Sequence, residues 1–320
     1  MKTTNEILRS PRVRIGGGTL LFILAACLLS LPWTMNSKGV MYYDHQDHTR
    51  SELPPSISPA WMALGTDKLG HGLLARCLIG GAISLTVGIA AACVSVVLGV
   101  SVGLIAGYRG GWVDGLLMRS VDILYGLPYI LLVILLKIAL EDPMRDHLIK
   151  LSEHFVNHQR IAHFISGVAG AANLIVIFLA IGLVSWLEMA RVIRGQVLSL
   201  RTMPYIEAAY AAGANERRIF LRHLLPNLVS PITVYATLII PQAILQESFL
   251  SFLGVGVQAP LPSWGSLAAA GLLPGLNPIH WRWWLLVFPC TLLGLTLLSL
   301  NFLGDGLRDL FDPKRETTRM

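Results

Sequence analysis

The sequence predicts an all-α, polytopic membrane protein, and three observations carry that prediction. Of its 320 residues 54% are hydrophobic and 14% are charged, against about 25% charged in an average soluble domain. Several apolar runs approach the roughly 20 residues that an α-helix needs to cross a bilayer. The formal net charge of +6 is spread over separate loops between those runs, which suits a topological signal and does not suit nucleic-acid binding. The four cysteines, Cys27, Cys77, Cys93 and Cys290, lie within or beside apolar runs and show no metal-ligand spacing. They are expected to be small buried apolar side chains.

Six spans can be threaded in order. Residues 1 to 15 carry Lys2, Arg9, Arg12 and Arg14, and an apolar run follows from about Gly16 to Trp33. A cleaved signal peptide is the rival reading of that start. The run is long for such a peptide, and no clear cleavage site precedes Trp33, so a retained first helix is expected. Residues 36 to 70 are polar, with Pro54, Pro55 and Pro59, and suit an irregular loop. The second span runs from about Ala82 to Ala106. Gly99, Gly103 and Gly107 fall on one face at four-residue spacing, which predicts close packing against another helix.

The Arg109–Asp114 stretch predicts a tight turn, and the third span covers about Leu116 to Leu136. Arg119 and Asp122 sit three apart and can pair on one helix face. Asp122 is also a candidate for lining a polar path through the membrane. Gly126-Leu127-Pro128 should kink this helix. A polar insertion follows, about 141–166, with His154 and His158 four residues apart. That spacing suits zinc, nickel or copper, with His147 and His163 as further ligands. The favoured reading is an amphipathic helix on the membrane surface. The fourth span is expected at about Ala171 to Leu187, the fifth at about Leu228 to Leu245, and the last at about Trp283 to Phe302. Glu247, just beyond the fifth, is a second path candidate, or else a buried glutamate capped by a neighbouring helix.

Between the fourth and fifth spans lies Tyr205–Pro226, the longest polar-and-small segment between strongly apolar ones. Good helix formers from Glu207 to Ala212 are interrupted by Gly213. A second helix should start at Asn215, carry Arg217 and Arg218, and stop at Pro226-Asn227. The expectation is therefore two short helices joined by a glycine elbow.

The order Glu207-Ala208-Ala209, Gly213 and Leu225-Pro226 resembles the EAA loop of the membrane subunits of ABC importers. Further stretches are similar to the peptide and nickel branch of that family. They are Leu64-Gly65-Thr66-Asp67 with Gly70, Ser84 to Gly88, Trp186 with Ala190, Arg191 and Arg194, Phe249 to Gly254, and Asn301 to Pro313. The likeness spans about Leu64 to Pro313. His71 and Gly72 stand where that branch usually has Arg and Asp, and Ser248 stands where it commonly has Ala.

The resemblance implies a fold of the type I importer permease kind, with six transmembrane helices. It divides the chain into residues 1–70 (N-terminus, first helix and extracytoplasmic loop), a permease core at 71–313, and a cytoplasmic tail at 314–320. The EAA loop occupies about 188–227. The resemblance further implies peptide import across a bacterial inner membrane, with nickel or another metal as the alternative cargo. The partners would be a second permease subunit, two cytoplasmic ATPase subunits that bind ATP and magnesium, an extracytoplasmic binding protein, and lipid. Glu207, Ala208, Ala209 and Gly213 would contact the ATPase, with Arg217 and Arg218 behind them.

The residues themselves agree with that arrangement. No G-x4-G-K-[ST] sequence occurs, so ATP chemistry and its cofactors are expected in another chain. With the N-terminus placed inside, fifteen of the 25 Lys and Arg fall in cytoplasmic segments, as the positive-inside rule requires. A stand-alone secondary transporter is the competing class, but it would show internal repeats and would leave the EAA loop unexplained.

Overall fold

A computed structural model describes residues 11–37, 39–154 and 172–311. Among these residues there are helices, turns and a single isolated bridge between Thr66 and Gly72, with no strand. The described residues form ten α-helices in order: α1 Pro11–Thr34, α2 Leu73–Arg109, α3 Gly111–Tyr125, α4 Tyr129–His154, α5 Ala172–Arg201, α6 Pro204–Ala211, α7 Glu216–Ile219, α8 Leu225–Phe252, α9 Trp264–Leu276 and α10 Trp284–Phe311. Among the described residues five spans are long and apolar enough to cross a membrane, and α3 with α4 make a sixth if that bent pair counts as one. The protein is thus the all-α, multi-pass membrane protein that composition predicts.

The most extensive contact in the bundle is between α2 and α5. Its cause lies in the glycines. A β-carbon added at Gly103 would sit 2.6 Å from the carbonyl oxygen of Ala190, one at Gly99 would sit 2.5 Å from Met189 Cβ, and one at Gly107 would sit 2.8 Å from Val197 Cβ. From the facing helix, Gly182 returns the arrangement, with Ala91 O 2.8 Å from where its β-carbon would be. Small faces let two backbones approach closely, and in a bilayer that packing drives association. The predicted glycine face is therefore a real interface. Helix α1 crosses α10 by a similar device, with Gly16 against Ser299 and Phe302.

The packing places the start of α1, the ends of α2, α5 and α10, and the start of α8 at one end of the bundle. This end holds Arg109, Arg194, Arg201, Arg217 and Arg218 and is called the basic end. At the opposite end lie residues 39–72 and the turns on either side of α9, joined by a Glu52–Arg282 ion pair and by Trp284 Nε1 donating to Thr66 O at 3.3 Å.

Several expectations are corrected. The third span is not one kinked helix from Leu116 to Leu136. It breaks at Gly126-Leu127-Pro128 into α3 and α4, which meet at 97°, because proline cannot continue the ladder and a residue before it avoids the helical region. Helix α5 does not end at Leu187 but continues to Arg201. Pro226 does not stop a helix. A π-turn at Phe220–Leu224 precedes it, with Leu225 N–H donating to Phe220 O five residues back. That wider turn relieves the clash between a proline ring and the carbonyl four residues earlier. Asn227 Nδ2 then donates to His223 O at 2.6 Å. Cys27 and Cys77 are buried as expected, but Cys93 and Cys290 are exposed on the faces of α2 and α10. Helix α9 is too short to register in the sequence as a span.

The glycine face yields a direct test. Gly103→Val should cost about 1–3 kcal/mol through overpacking and lower the melting temperature in detergent. Gly195→Val, at a position where an added β-carbon meets nothing within 4 Å, should not. Equal melting of the two variants would remove the interface argument.

Candidate functional site

The segment between α5 and α8 folds as two short helices joined by an elbow. Helix α6 ends at Ala211, Gly213 adopts φ +76°, and Asn215 opens α7 by accepting a hydrogen bond from Arg218 N–H on its side chain at 2.9 Å. A positive φ is cheap for glycine and costly for a residue with a β-carbon. Asparagine is a favoured N-cap because its side chain satisfies an amide that the helix leaves unpaired. The elbow and the helix start therefore follow from two residues.

The underside of this module is apolar. Ile206, Ile219 and Leu224 are fully buried and pack with Tyr108 of α2 and Leu200 of α5. Tyr108 also meets Phe220 edge-on, with ring centres 6.2 Å apart. The opposite side is open. Glu207, Ala208, Gly213, Arg217 and Arg218 are exposed, and Ala209 is half-buried. Nothing lies within 4 Å of a β-carbon built at Gly213. Thus the structure brings the six predicted coupling residues onto one module, anchored on α2 and α5.

Arginines missed by spacing arguments brace the same end. Arg194 on α5 makes a two-point ion pair with Asp114 on α3, at 2.5 and 2.6 Å. Arg201 donates to Gly107 O at 2.9 Å and lies over the Tyr108 ring, a favourable place for a cation at a helix C-terminus. Asp122 does not pair with Arg119. It accepts from Arg191 Nη2 at 2.8 Å, and the Arg191 guanidinium sits 4.2 Å from the ring centre of Tyr125. The nearer sequence neighbour loses because α5 presents its arginine across the gap at the helix break.

Glu247 is fully buried in α8. It accepts hydrogen bonds from Ser84 Oγ at 2.9 Å, Ser251 Oγ at 2.7 Å and Ser248 Oγ at 3.4 Å. It thus ties α8 to α2, as a capped buried glutamate would. A buried polar group needs such partners. Ser248, one of the departures from the resembled pattern, supplies one of them.

A cavity of about 460 Å³ opens at the α3–α4 break. Tyr125, Leu127 and Tyr129 line it from the break, Ser185 and Glu188 from α5, and Gln242 and Gln246 from α8. Neither Asp122 nor Glu247 is among its lining residues.

At the opposite end, Asp67 organises the loop. It accepts from Leu69 N–H and His71 N–H, both at 2.9 Å, and meets His71 Nδ1 at 2.8 Å and Arg76 Nη1 at 2.7 Å. So a guanidinium reaches Asp67 even though position 71 holds histidine. Burial opposes ionisation of Asp67, but His71 and Arg76 outweigh it and hold the carboxyl below the usual carboxylate range.

Of the two histidines singled out for metal, His154 ends α4 and His158 lies outside the described residues, as do His163, most of the insertion beyond 154 and the 314–320 tail. Among the described residues no group of three or more His, Cys, Asp or Glu side chains could hold a metal ion.

A depressed carboxylate pKa stabilises the fold above its unfolded value, and that contribution fades as pH falls through the folded value. Asp67→Asn should therefore lower the melting temperature at pH 7, by an amount equivalent to about 1–3 kcal/mol for hydrogen bonds to a charged group. The gap between parent and variant should close below about pH 3.9, the ordinary aspartate value. A gap that stays constant over that range would show that the ionised form is not what matters.

Residues 99–317 match the family described as binding-protein-dependent transport system inner membrane component. The chain is 41% identical over 272 residues to the oligopeptide transport system permease protein OppC of Haemophilus influenzae, covering 85% of this chain and 76% of that protein. It is 40% identical over 269 residues to the dipeptide transport system permease protein DppC of Bacillus subtilis, covering 84% and 73%. It is 42% identical over 272 residues to the OppC protein of Escherichia coli K12, covering 85% and 78%.

Proposed function

The chain belongs to the binding-protein-dependent transport inner-membrane components, and on that premise we propose that it forms half of the membrane path of an ATP-driven peptide importer. The observation that carries the proposal is the α6–elbow–α7 module. Its buried underside is fixed to α2 and α5, and its exposed side offers Glu207, Ala208 and Gly213 with Arg217 and Arg218 beside them. A partner that pushes on this module moves the most tightly packed helix pair in the bundle.

The mechanism follows from that attachment. Two cytoplasmic ATPase subunits bind ATP and magnesium and close on one another. The exposed face of the module, with its small alanines, seats in one of them. Arg217 and Arg218 meet acidic groups at the rim. The displacement passes through Ile206, Ile219 and Leu224 to α2 and α5, and the path opens to alternate sides of the membrane. A second, similar permease subunit completes the path, and an extracytoplasmic binding protein delivers the cargo. The N-terminus and the basic end lie in the cytoplasm of a bacterial inner membrane, which places the arginines inside.

Peptide is the preferred cargo because two relatives of this chain are named for oligopeptide and dipeptide transport. The cavity supports the same choice, since its lining offers amides and hydroxyls with a single carboxylate and no imidazole or thiolate. Nickel would favour nitrogen donors such as imidazole.

A pull-down of the tagged chain from mild detergent should recover a second permease and two ATPases. A partner-free chain that moves solute in liposomes would overturn the proposal in favour of a secondary transporter. Within the complex, Gly213→Val places a branched side chain at positive φ, at about 1–2 kcal/mol of local strain, with no clash against the bundle. It should remain in the membrane while ATP hydrolysis loses its link to uptake. Normal uptake by that variant would sink the elbow argument.

A further inference from the structure

We propose that the cavity at the α3–α4 break is a holding site for the main chain and amino terminus of the passing peptide, with Gln242 and Gln246 reading its amides and Glu188 its ammonium group. The proposal rests on the peptide-import reading and adds the residues that touch the cargo.

Three independent observations converge on this place. First, the chain is non-helical at Gly126-Leu127-Pro128, within a pair of apolar helices. Irregular backbone at membrane depth persists only where protein buries it or where it lines a water-filled cavity, and here Leu127 and its neighbours line one. Second, Glu188 lies at the middle of the 30-residue helix α5, is exposed, and has no ion pair or hydrogen bond among the described residues. It directly follows the apolar stretch that ends at Leu187, and a carboxylate at that depth faces a partner or water. No cation lines the cavity; Arg191, three residues on from Glu188 and stacked on the lining Tyr125, is already paired with Asp122. Third, Gln242 and Gln246 stand one turn apart on α8 and project to the same side.

The second glutamine is held in place. Tyr129 Oη donates to Gln246 Oε1 and lies 3.3 Å from Ser185 Oγ. With its oxygen engaged, the Gln246 carboxamide presents its N–H groups as donors. Gln242 is exposed and offers both a donor and an acceptor. A peptide group carries one N–H and one C=O, so the pair matches its repeating chemistry without regard to side chain. Around them Leu124, Leu187 and Leu245 supply an apolar surface that discriminates weakly. The volume, about 460 Å³, falls within the usual range of about 300–1,000 Å³ for ligand pockets. One negative charge among amides and leucines suits a ligand with a cationic end and a neutral amide chain.

The test uses the whole transporter, the tagged chain with its co-purifying subunits, in proteoliposomes supplied with ATP and the binding protein. Uptake of trialanine is compared with uptake of its N-acetylated and its backbone-N-methylated forms. The binding protein is the same throughout, so a change in the ratios between cargoes reports on this chain. Glu188→Gln should reduce the preference for free over N-acetylated trialanine about tenfold, the equivalent of about 1.4 kcal/mol. Gln246→Leu and Gln242→Leu should slow trialanine and narrow the gap to the N-methylated form, and Gln246→Asn should restore part of that gap. ATPase recovery and melting temperature identify any variant that fails to assemble. Gln242 and Glu188 are exposed, so at least those substitutions leave the packing intact. Assembled variants with the cargo ratios of the parent would overturn the assignment while leaving peptide import standing. A parent complex that moves no peptide would overturn the import reading and this assignment with it.

Discussion

The constraint on which the rest of the structure depends is the close approach of α2 and α5. Four glycines, three on one helix and one on the other, remove the side chains that would hold the backbones apart. Without a hydrophobic force between helices in lipid, van der Waals contact is what such an interface has to offer, and it grows with every atom that comes within reach. Both helices then end at the same level, at Arg109 and Arg201. Their ends form the floor on which Ile206, Ile219 and Leu224 rest. A looser pair would leave the module without a fixed base.

Charge is arranged to reinforce this base. Arg194 and Arg201, which add to the basic bias of one end, are structural as well. One clamps the short helix α3 through Asp114, and the other closes the end of α2 at Gly107. The same residues thus serve topology and packing, because a basic side chain at the membrane boundary can extend to a partner while its head stays near water. At the other end Asp67, His71 and Arg76 gather an otherwise irregular loop onto the start of α2.

Much of the fold was legible in the sequence because the signals were local. The glycine face, the Asn215 cap and the Gly213 elbow each follow from residues a few positions apart. The break at Pro128 was legible as a kink, but its 97° angle depends on what α3 packs against. Two of the differences originate in contacts between distant segments, and one in a local turn. Spacing pairs Asp122 with Arg119 on its own helix, whereas its partner Arg191 is 69 residues away. Pro226 reads as a terminus because a wide turn is invisible in composition. The role of Glu247 is set by Ser84, 163 residues away, which donates to its carboxylate. The cavity, too, was hidden, since its lining comes from the break, α5 and α8, and no one of these stretches carries a motif.

The π-turn at Phe220–Leu224 sets an orientation as well as admitting a proline. It joins α7 to α8, so that Glu216–Phe252 forms one 37-residue span. An α-helix advances about 100° per residue, so one additional residue in the winding swings everything before it around the α8 axis by a comparable angle. Arg217 and Arg218 lie before it, and Gln242 and Gln246 lie after it. The direction in which the two arginines look, relative to the two glutamines, is therefore an azimuth counted in residues. Deleting Leu221 would remove no side chain named here, and yet turn the basic end of the rod relative to the end that carries the glutamines.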